Sequence, residues 1–557
     1  MSSTDTKTGH HRIELYDATL RDGMGGGGMS LTASEKVRVV RALDELGIHM
    51  IEAGFPASNP KEAELFELLE RERLGTAEIV AFGMTRRRGV DADDDEGLRV
   101  LAASFAPACT LVGKSSIVQA ETVLKVSPAE NLAMIGESIA YLRAHGKRVL
   151  FDAEHFFDGL AADAGYAFEC LRVAAQAGAE RVVLCDTNGG SLPLDVHTAV
   201  LSVRAQLPDV ALGIHTHDDT GCAVANTLVA VQAGATQVQG TINGIGERTG
   251  NANLVTILAD LQLKLGYEVL APERLARLTE TAHLLDELLN RTPDPAQPYV
   301  GKHAFAHKAG MHAAGVREAS SMFEHLDPAL VGNRSDVLVS ELSGRATIAE
   351  KARAAGIALD DEVARRVAER VKELEHAGFQ FEAADGSLEL LMRREADPDG
   401  YEPLFKLESW RVIVEKHADR RTTTEATIKI WIPTNPDGSG GERYVRTAEG
   451  NGPVNALDKA LREAIAEIHP HLKDIELVNF KVRILDESKG TGAVTRVLID
   501  ASDGHEVWGS IGVSENLIAA SWDALVDSLE RGMLSDTRSR PADTPSPPEV
   551  AQLDPSR

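Results

Sequence analysis

The stretch Ala211-Leu212-Gly213-Ile214-His215-Thr216-His217 is a short, mostly apolar run that ends in two histidines. Its length and apolar content predict a buried β-strand. Alternate side chains of a strand share a face, so His215 and His217 are predicted to project side by side. With a carboxylate such as Asp22, two neutral imidazoles would form a three-ligand metal set with open positions. For the pair alone, two inward histidines that are hydrogen-bonded in a core remain an alternative.

The same pattern of apolar run, polar turn and amphipathic helical segment recurs along the first half of the chain. Candidate strands cover residues 13–19, 49–55, 79–85, 109–114, 148–155, 181–187, 211–217 and 237–243. Candidate helices between them cover residues 34–46, 61–71, 128–145, 167–177, 194–206 and 223–233. Eight strand–helix units in about 250 residues predict an α/β fold, a (β/α)8 TIM barrel.

Reactive side chains follow the predicted strands at their carboxyl ends. They are Arg21 and Asp22 after strand one, Arg86 after strand three, Lys114 at strand four, Glu154 at strand five, Thr187 and Asn188 at strand six, and His215 and His217 at strand seven. Barrel enzymes build their active sites at this end of the strands. Polar residues that merely close strands would not explain this mixture of acids, imidazoles and cations, so an active site is predicted here.

The composition is that of a globular protein, with 43% hydrophobic and 26% charged residues. A chain of 557 residues is too long for one core, so two or three domains are expected. The net charge of −27 argues against nucleic acid or an anionic membrane as a partner. The four cysteines are scattered, and no apolar stretch reaches membrane-spanning length, so a cytoplasmic location is expected.

The chain is predicted to divide into five segments. They are a flexible N-terminus (1–11), the barrel (12–285), helical linker subdomains (286–404), a C-terminal regulatory and dimerisation domain (405–534) and a disordered tail (535–557). The terminal domain contains a weak internal repeat of a hairpin followed by a helix. Such a duplication suits ligand sensing and subunit pairing, and plain structural duplication is the alternative.

Several motifs occur in an order that resembles a known family. They are Leu20-Arg21-Asp22-Gly23, Gly54-Phe55-Pro56-Ala57-Ser58-Asn59-Pro60, Asp152-Ala153-Glu154-His155, Cys185-Asp186-Thr187-Asn188, His215-Thr216-His217-Asp218-Asp219, Gly246-Glu247-Arg248-Thr249-Gly250-Asn251 and the run 305–310. Together they resemble the α-isopropylmalate/homocitrate synthase family, and within it the (R)-citramalate synthase branch. The resemblance covers residues 13–534, including a terminal domain similar to the LeuA-type allosteric domain of those enzymes.

The resemblance implies an acyltransferase that condenses acetyl-CoA with a 2-oxo acid and then hydrolyses the thioester. Pyruvate would be the oxo acid, and (R)-citramalate and CoA the products, for isoleucine biosynthesis. The resemblance also implies an amino-acid effector, isoleucine, and a homodimer or higher homo-oligomer.

Individual roles follow from the same resemblance. Asp22, His215, His217 and Asn251 match ligands of a divalent cation (Mn, Mg, Co or Zn). Arg21, Glu154 and His312 match catalytic positions, with His312 reaching into a neighbouring subunit's barrel. Arg21, Thr187, Asn188 and His307 match or adjoin substrate-binding positions.

Each assignment has an ordinary structural alternative. Arg21 could be the ion-pair partner of a buried acid, Glu154 could cap a helix at the barrel rim, and His312 could be an interface histidine. The run 86–88 is three arginines, interpreted as a solvated basic turn, with contact to CoA phosphates as the alternative.

The chain departs from the family pattern at a few positions. Met24-Gly25-Gly26-Gly27-Gly28 stands where a small residue and a glutamine are usual, and Ser116-Ile117 replaces Trp-Asp. Phe55 replaces a tryptophan, and Phe323 replaces a tyrosine whose hydroxyl assists proton transfer. Either the pocket accepts a different substrate or catalysis is compromised. Because the predicted ligands, Arg21, Glu154 and Thr187 are all present, we expect an active enzyme.

Three other functions stay open at this point. The first is a sister synthase that makes 2-isopropylmalate, homocitrate or another 2-alkylmalate. The second is a metal-dependent C–C lyase on the same barrel. The third is a regulatory paralogue that binds a ligand without turnover, for which the glycine-rich loop and Phe323 are the best support.

Overall fold

The structure, a computed structural model, describes residues 12–56, 58–308, 320–340, 343–398, 400–401, 403–419, 421–433, 441–466, 468–485, 490 and 492–539. The chain divides into two compact units. The first unit is Met1–Ala306 with Glu324–Asp336, and the second is His307–Phe323 with Val337–Arg557. No helix in the described residues is long and apolar enough to cross a membrane.

The first unit contains the predicted barrel. Its strands are β1 Glu14–Asp17, β2 Met50–Gly54, β3 Glu78–Met84, β4 Ala108–Lys114, β5 Arg148–Glu154, β6 Arg181–Asp186, β7 Leu212–Thr216 and β8 Gln237–Gly240. They pair in parallel in chain order, and β8 returns to β1, so the sheet closes. The prediction of a TIM barrel is confirmed, because all eight strands lie within the predicted stretches or extend them by one residue.

Helices connect the strands and follow the last one. They are α1 Ala33–Leu46, α2 Pro60–Leu69, α3 Glu96–Ala103, α4 Ile117–Gln119, α5 Pro128–Ala144, α6 Phe156–Ala162, α7 Ala164–Gln176, α8 Pro193–Gln206, α9 Ala223–Gln232, α10 Leu254–Ala259, α11 Pro272–Leu275 and α12 Leu278–Leu288. Helix α1 starts at a capping box between Thr32 and Glu35, which supplies partners for its first N–H groups. Helix α3 was not predicted, because its eight residues are too short to give a clear period.

The interior of the barrel is unusually polar. Tyr16 on β1 hydrogen-bonds Thr110 on β4, and Gln239 on β8 hydrogen-bonds Asp152 on β5. These strands are not neighbours in the sheet, so both contacts cross the interior. Barrel interiors are usually filled by branched apolar side chains. A polar layer just inside the carboxyl ends of the strands is therefore expected to hold the side chains of a site at that end of the barrel in position.

Two short strands, β9 Ala306–His307 and β10 Asp336–Val337, lie at the boundary between the units. The second unit continues with helices α13 Arg345–Ala354, α14 Asp361–His376 and α15 Asp385–Ala396. Their apolar faces form a core cluster around Ile348, Val367 and Leu388. This agrees with the predicted helical character of the linker region.

The terminal domain is built from two similar halves. Strands β11 Lys406–Lys416, β12 Thr422–Ile432 and β13 Glu442–Gly450 form an antiparallel sheet followed by α16 Pro453–Ile465. Strands β14 Glu476–Ile484, β15 Thr495–Ser502 and β16 Val507–Ser514 form a second one followed by α17 Leu517–Ser539. One apolar core includes buried residues of both halves. The predicted internal repeat is thus a duplicated βββα unit.

Candidate active site

Three predicted ligands meet at the carboxyl end of the barrel. Asp22 Oδ2 lies 3.2 Å from His215 Nε2 and 3.6 Å from His217 Nε2, and the two Nε2 atoms are 3.3 Å apart. One ligand atom from each residue lies within 4.8 Å of the others, a grouping that can hold a metal ion. His215 and His217 are each 5% exposed. The arrangement fits the facial set of two histidines and one carboxylate.

The charges around this cluster favour an ionised Asp22 and a neutral His217, the forms that bind a cation. Burial opposes ionisation of Asp22, but Arg21 and the two imidazoles outweigh it and hold its pKa well below the ordinary value. Burial and the neighbouring His215 lower the pKa of His217 to about 4. His217 is therefore neutral at neutral pH, which is the state that binds metal. Burial also opposes the charge of His215, but Asp22 raises its pKa above the ordinary value.

Asn251 fits as a fourth ligand on an independent observation. It is 2% exposed and pairs with His217 in an isolated β-bridge. Its Nδ2 donates to the carbonyl of Ile245, whereas its Oδ1 is buried and has no hydrogen-bond partner among the described residues. A buried carbonyl oxygen is costly without a partner, and a cation would satisfy it.

Arg21 is paired with Glu52 of β2, a residue that was not predicted to belong to the site. Its Nε donates to Glu52 Oε2 at 2.6 Å, and its guanidinium carbon lies 4.0 Å from the centre of the Phe82 ring. Burial opposes the charge of Arg21, but Glu52 and Asp22 hold its pKa above the ordinary value. Arg21 is thus an ion-pair partner of a buried acid and also a neighbour of the candidate ligand Asp22. An acid inside the apolar run Ile51-Glu52-Ala53 was the available signal.

Glu154 ends β5 beside Lys114, which ends β4. Lys114 Nζ lies 2.6 Å from Glu154 Oε2, and both side chains keep some exposure, 13% and 24%. The alternative role of a helix cap is not observed, because the residue at the N-cap of α6 is His155 and no side chain caps it. A charged amine therefore holds the carboxylate at the barrel mouth.

The loop after β6 places Thr187 near Glu154. Thr187 Oγ1 accepts a hydrogen bond from the backbone N–H of His155 at 2.9 Å, so its own proton can be donated elsewhere. Arg248 donates to the Thr187 carbonyl and to both oxygens of Asp219, which ties the loops after β6 and β7 together. Asn188 is exposed and donates to Asp158 Oδ2 at 2.7 Å.

Three of the residues named in the sequence analysis are not among the described residues of the first unit. His312 lies outside the described residues. His307 and Phe323 belong to the second unit, and the Phe323 side chain is 42% exposed. In the glycine-rich loop, a Cβ at Gly27 or Gly28 would meet no atom within 4 Å, so close packing does not demand glycine there.

The interpretation of the run 86–88 as a solvated basic turn is wrong for its first residue. Arg86 is 5% exposed and pairs with Glu130 and Glu137 of α5 at 2.8 and 2.6 Å. Arg87 and Arg88 are exposed, and all three arginines line a cavity of about 840 Å³ together with Phe55 and Met84. Arg86 is therefore structural, because its charge is neutralised within the protein.

Three family models match successive parts of the chain. The HMGL-like model matches residues 12–285, the homocitrate synthase post-HMGL domain-like model residues 299–378, and the LeuA allosteric (dimerisation) domain model residues 382–533. Among solved structures, the HMG-CoA lyase from Brucella melitensis is 20% identical with a TM-score of 0.43, and covers 50% of this chain and 99% of that chain.

Curated relatives match nearly the whole chain. The (R)-citramalate synthase of Streptomyces coelicolor is 49% identical over 527 residues, which cover 94% of this chain and 97% of the relative. Those of Geobacter sulfurreducens and Sulfolobus acidocaldarius are 44% and 40% identical, each covering 93% of this chain, and 97% and 96% of the relative. With this identity over nearly the full length, and with the residues of the site in place, the chain belongs to the (R)-citramalate synthase family.

Proposed function

We propose that this protein condenses acetyl-CoA with pyruvate and hydrolyses the resulting thioester, which yields (R)-citramalate and CoA. The observation that carries the proposal is the cluster of Asp22, His215 and His217 beside Arg21 at the mouth of the barrel. The relatives at 40–49% identity are (R)-citramalate synthases, which supports pyruvate and acetyl-CoA as the substrates.

Asp22, His215, His217 and Asn251 would hold a divalent cation, Mn, Mg, Co or Zn. A bound cation supplies Lewis acidity that polarises the ketone of the oxo acid. The second cationic group is Arg21, whose position beside Asp22 lets its free N–H groups stabilise the negative charge that develops on the ketone oxygen. Thr187 has a hydroxyl proton available to orient the oxo acid, with Asn188 at the rim.

Glu154 is the proposed base that removes a proton from the methyl group of acetyl-CoA. The ion pair with Lys114 orients its carboxylate at the barrel mouth. The nucleophilic carbon then attacks the ketone carbon, and water cleaves the thioester to release CoA. His312 of the neighbouring subunit is the proposed partner in proton transfer, and His307 adjoins it in the same run.

We further propose isoleucine as the effector of the terminal domain. A LeuA allosteric (dimerisation) domain indicates effector binding and oligomerisation, and isoleucine is the amino acid at the end of the pathway that citramalate supplies. With the domain limits proposed from the sequence, catalysis belongs to residues 12–285 and effector binding to residues 405–534, and residues 286–404 lie between them in the chain.

The test is thiol release from acetyl-CoA with pyruvate, 2-oxobutyrate, 2-oxoisovalerate or 2-oxoglutarate supplied separately, with Mn²⁺ or Mg²⁺ and with a chelator. We expect metal-dependent release that is strongest with pyruvate. A preference for 2-oxoisovalerate or 2-oxoglutarate would replace the proposal by a sister synthase. Absence of release with all four acids would contradict it and favour the regulatory paralogue.

A further inference from the structure

The two candidate histidine ligands are supported differently from within the barrel. His215 Nδ1 lies 3.0 Å from Gln239 Oε1, and Gln239 Nε2 donates to Asp152 Oδ1 at 3.2 Å. His217 Nδ1 is buried and has no hydrogen-bond partner among the described residues. Only His215 is therefore connected through Nδ1 to a chain of side chains that crosses the barrel.

The order of donors and acceptors in this chain determines which nitrogen of His215 carries a proton. A carboxylate accepts hydrogen bonds, so Asp152 requires the amide nitrogen of Gln239 on its side. The amide oxygen of Gln239 then faces His215 and requires a proton on Nδ1. The lone pair left on Nε2 is on the side of Asp22 and His217, where the candidate metal position lies.

The burial and the two hydrogen-bond partners of Gln239 suit a role in positioning His215, not contact with substrate. It is fully buried, and it pairs with His215 across β7 and β8 and with Tyr16 across β8 and β1. Its oxygen and nitrogen both have partners in the barrel. No local pattern marks Gln239 in the sequence, because its two partners lie 24 and 87 residues away along the chain.

We propose that Gln239, oriented by Asp152 across the barrel interior, is a positioning residue that keeps His215 in the tautomer with Nδ1 protonated and Nε2 free for the metal ion. The inference rests on the metal site of the proposed function. Hydrogen-bonding partners of metal-bound histidines commonly contribute 10–100-fold to metal affinity.

The chain offers a matched control in Gln237. It lies on the same strand two residues before Gln239 and is also fully buried. Among the described residues, its amide nitrogen donates to Glu14 and Met50, and neither histidine is a hydrogen-bond partner. Gln239→Leu and Gln237→Leu therefore remove the same chemical group from the same strand, at two depths of the barrel. Gln239→Glu retains an acceptor for His215 Nδ1, loses the amide donor to Asp152 and adds a buried carboxyl group beside it.

The experiment measures Mn²⁺ affinity of the full-length protein by electron paramagnetic resonance of free Mn²⁺, without substrates. It is made at pH 8, because burial raises the pKa of Asp152 to about 7 and its carboxylate is then mostly ionised. We expect about 10–100-fold weaker binding for Gln239→Leu, affinity nearer the unsubstituted protein for Gln239→Glu, and no change for Gln237→Leu.

A second measurement covers the case in which Gln239→Leu does not fold. The ring ¹⁵N shifts of His215 in the unsubstituted, metal-free protein, assigned by their loss in His215→Asn, should report a proton on Nδ1. Equal Mn²⁺ affinity of Gln239→Leu and the unsubstituted protein, or an unprotonated Nδ1, would overturn the inference. Failure of the unsubstituted protein to bind Mn²⁺ would instead contradict the metal site of the proposed function.

Discussion

The guanidinium of Arg21 serves several partners at once, and its shape makes this possible. Nε donates to Glu52, Nη1 lies 3.5 Å from Asp22 Oδ1, and the group lies over the ring of Phe82. A planar group with five N–H donors can hold these contacts and still present a donor to a substrate. A lysine ammonium carries its three donors on one nitrogen, so it cannot reproduce the geometry in which Nε and the terminal nitrogens of Arg21 reach separate partners.

Arg21→Lys is therefore expected to lower kcat/KM by about 10²–10³-fold while the protein remains folded, since a donor to the developing oxyanion is lost. Steady-state rates of thiol release check this, together with a thermal unfolding curve. Arg41→Lys is the matched control, because Arg41 forms an exposed ion pair with Glu72 on the outside of the barrel. If Arg21→Lys retained normal kcat/KM, Arg21 would be a structural ion-pair partner only.

At the scale of elements, helix α1 holds the loop that carries the candidate metal ligand Asp22. Lys36 of α1 is 2% exposed, and its Nζ donates to the carbonyl of Leu20 at 3.0 Å and to Glu62 of α2 at 2.5 Å. Leu20 lies two residues before Asp22. A buried lysine thus joins α1, α2 and the loop after β1.

Lys36→Met is expected to destabilise the barrel by about 3–5 kcal/mol, because Glu62 would be left as an unpaired buried carboxylate. The unfolding midpoint in a thermal scan should fall by on the order of 10 °C. Lys36→Met with Glu62→Leu should recover part of the loss, since no charge is then left unpaired. If the double variant were no more stable than the single one, the hydrogen bond from Lys36 to the Leu20 carbonyl would be the main contribution of Lys36 to stability.

The strands of the barrel and the longer helices between them could be predicted because each of these carries a local pattern. Strand β7 is an apolar run between polar turns, and α1 has a capping box and an apolar face. His215 and His217 were found because their spacing alone places them on one side of a strand. Contacts between distant residues leave no such pattern. Glu52 meets Arg21 across 31 residues, and Gln239 meets Asp152 across 87, so only the closed barrel brings them together.

At the scale of the whole molecule, the edge strands of the terminal domain, β11 and β14, expose apolar side chains. Phe480 and Val482 of β14 pair with Ile499 and Val497 of β15, and directly paired residues share a face of the sheet. Ile499 and Val497 are fully buried, whereas Phe480 and Val482 are each 45% exposed. Val414 on β11, the edge strand of the first half, is 54% exposed in the same way.

Apolar side chains on an otherwise covered face are typical of an interface, which agrees with a dimerisation domain. Phe480→Asp with Val482→Asp is therefore expected to shift the full-length protein toward the monomer in sedimentation velocity, because a partner would have to bury two charges. Lys481→Asp is the control, since Lys481 pairs with Leu498 and projects from the opposite face of the same exposed strand. Unchanged association of the double variant, with native unfolding behaviour, would exclude the β14 edge as the interface and direct attention to the open edge of β11.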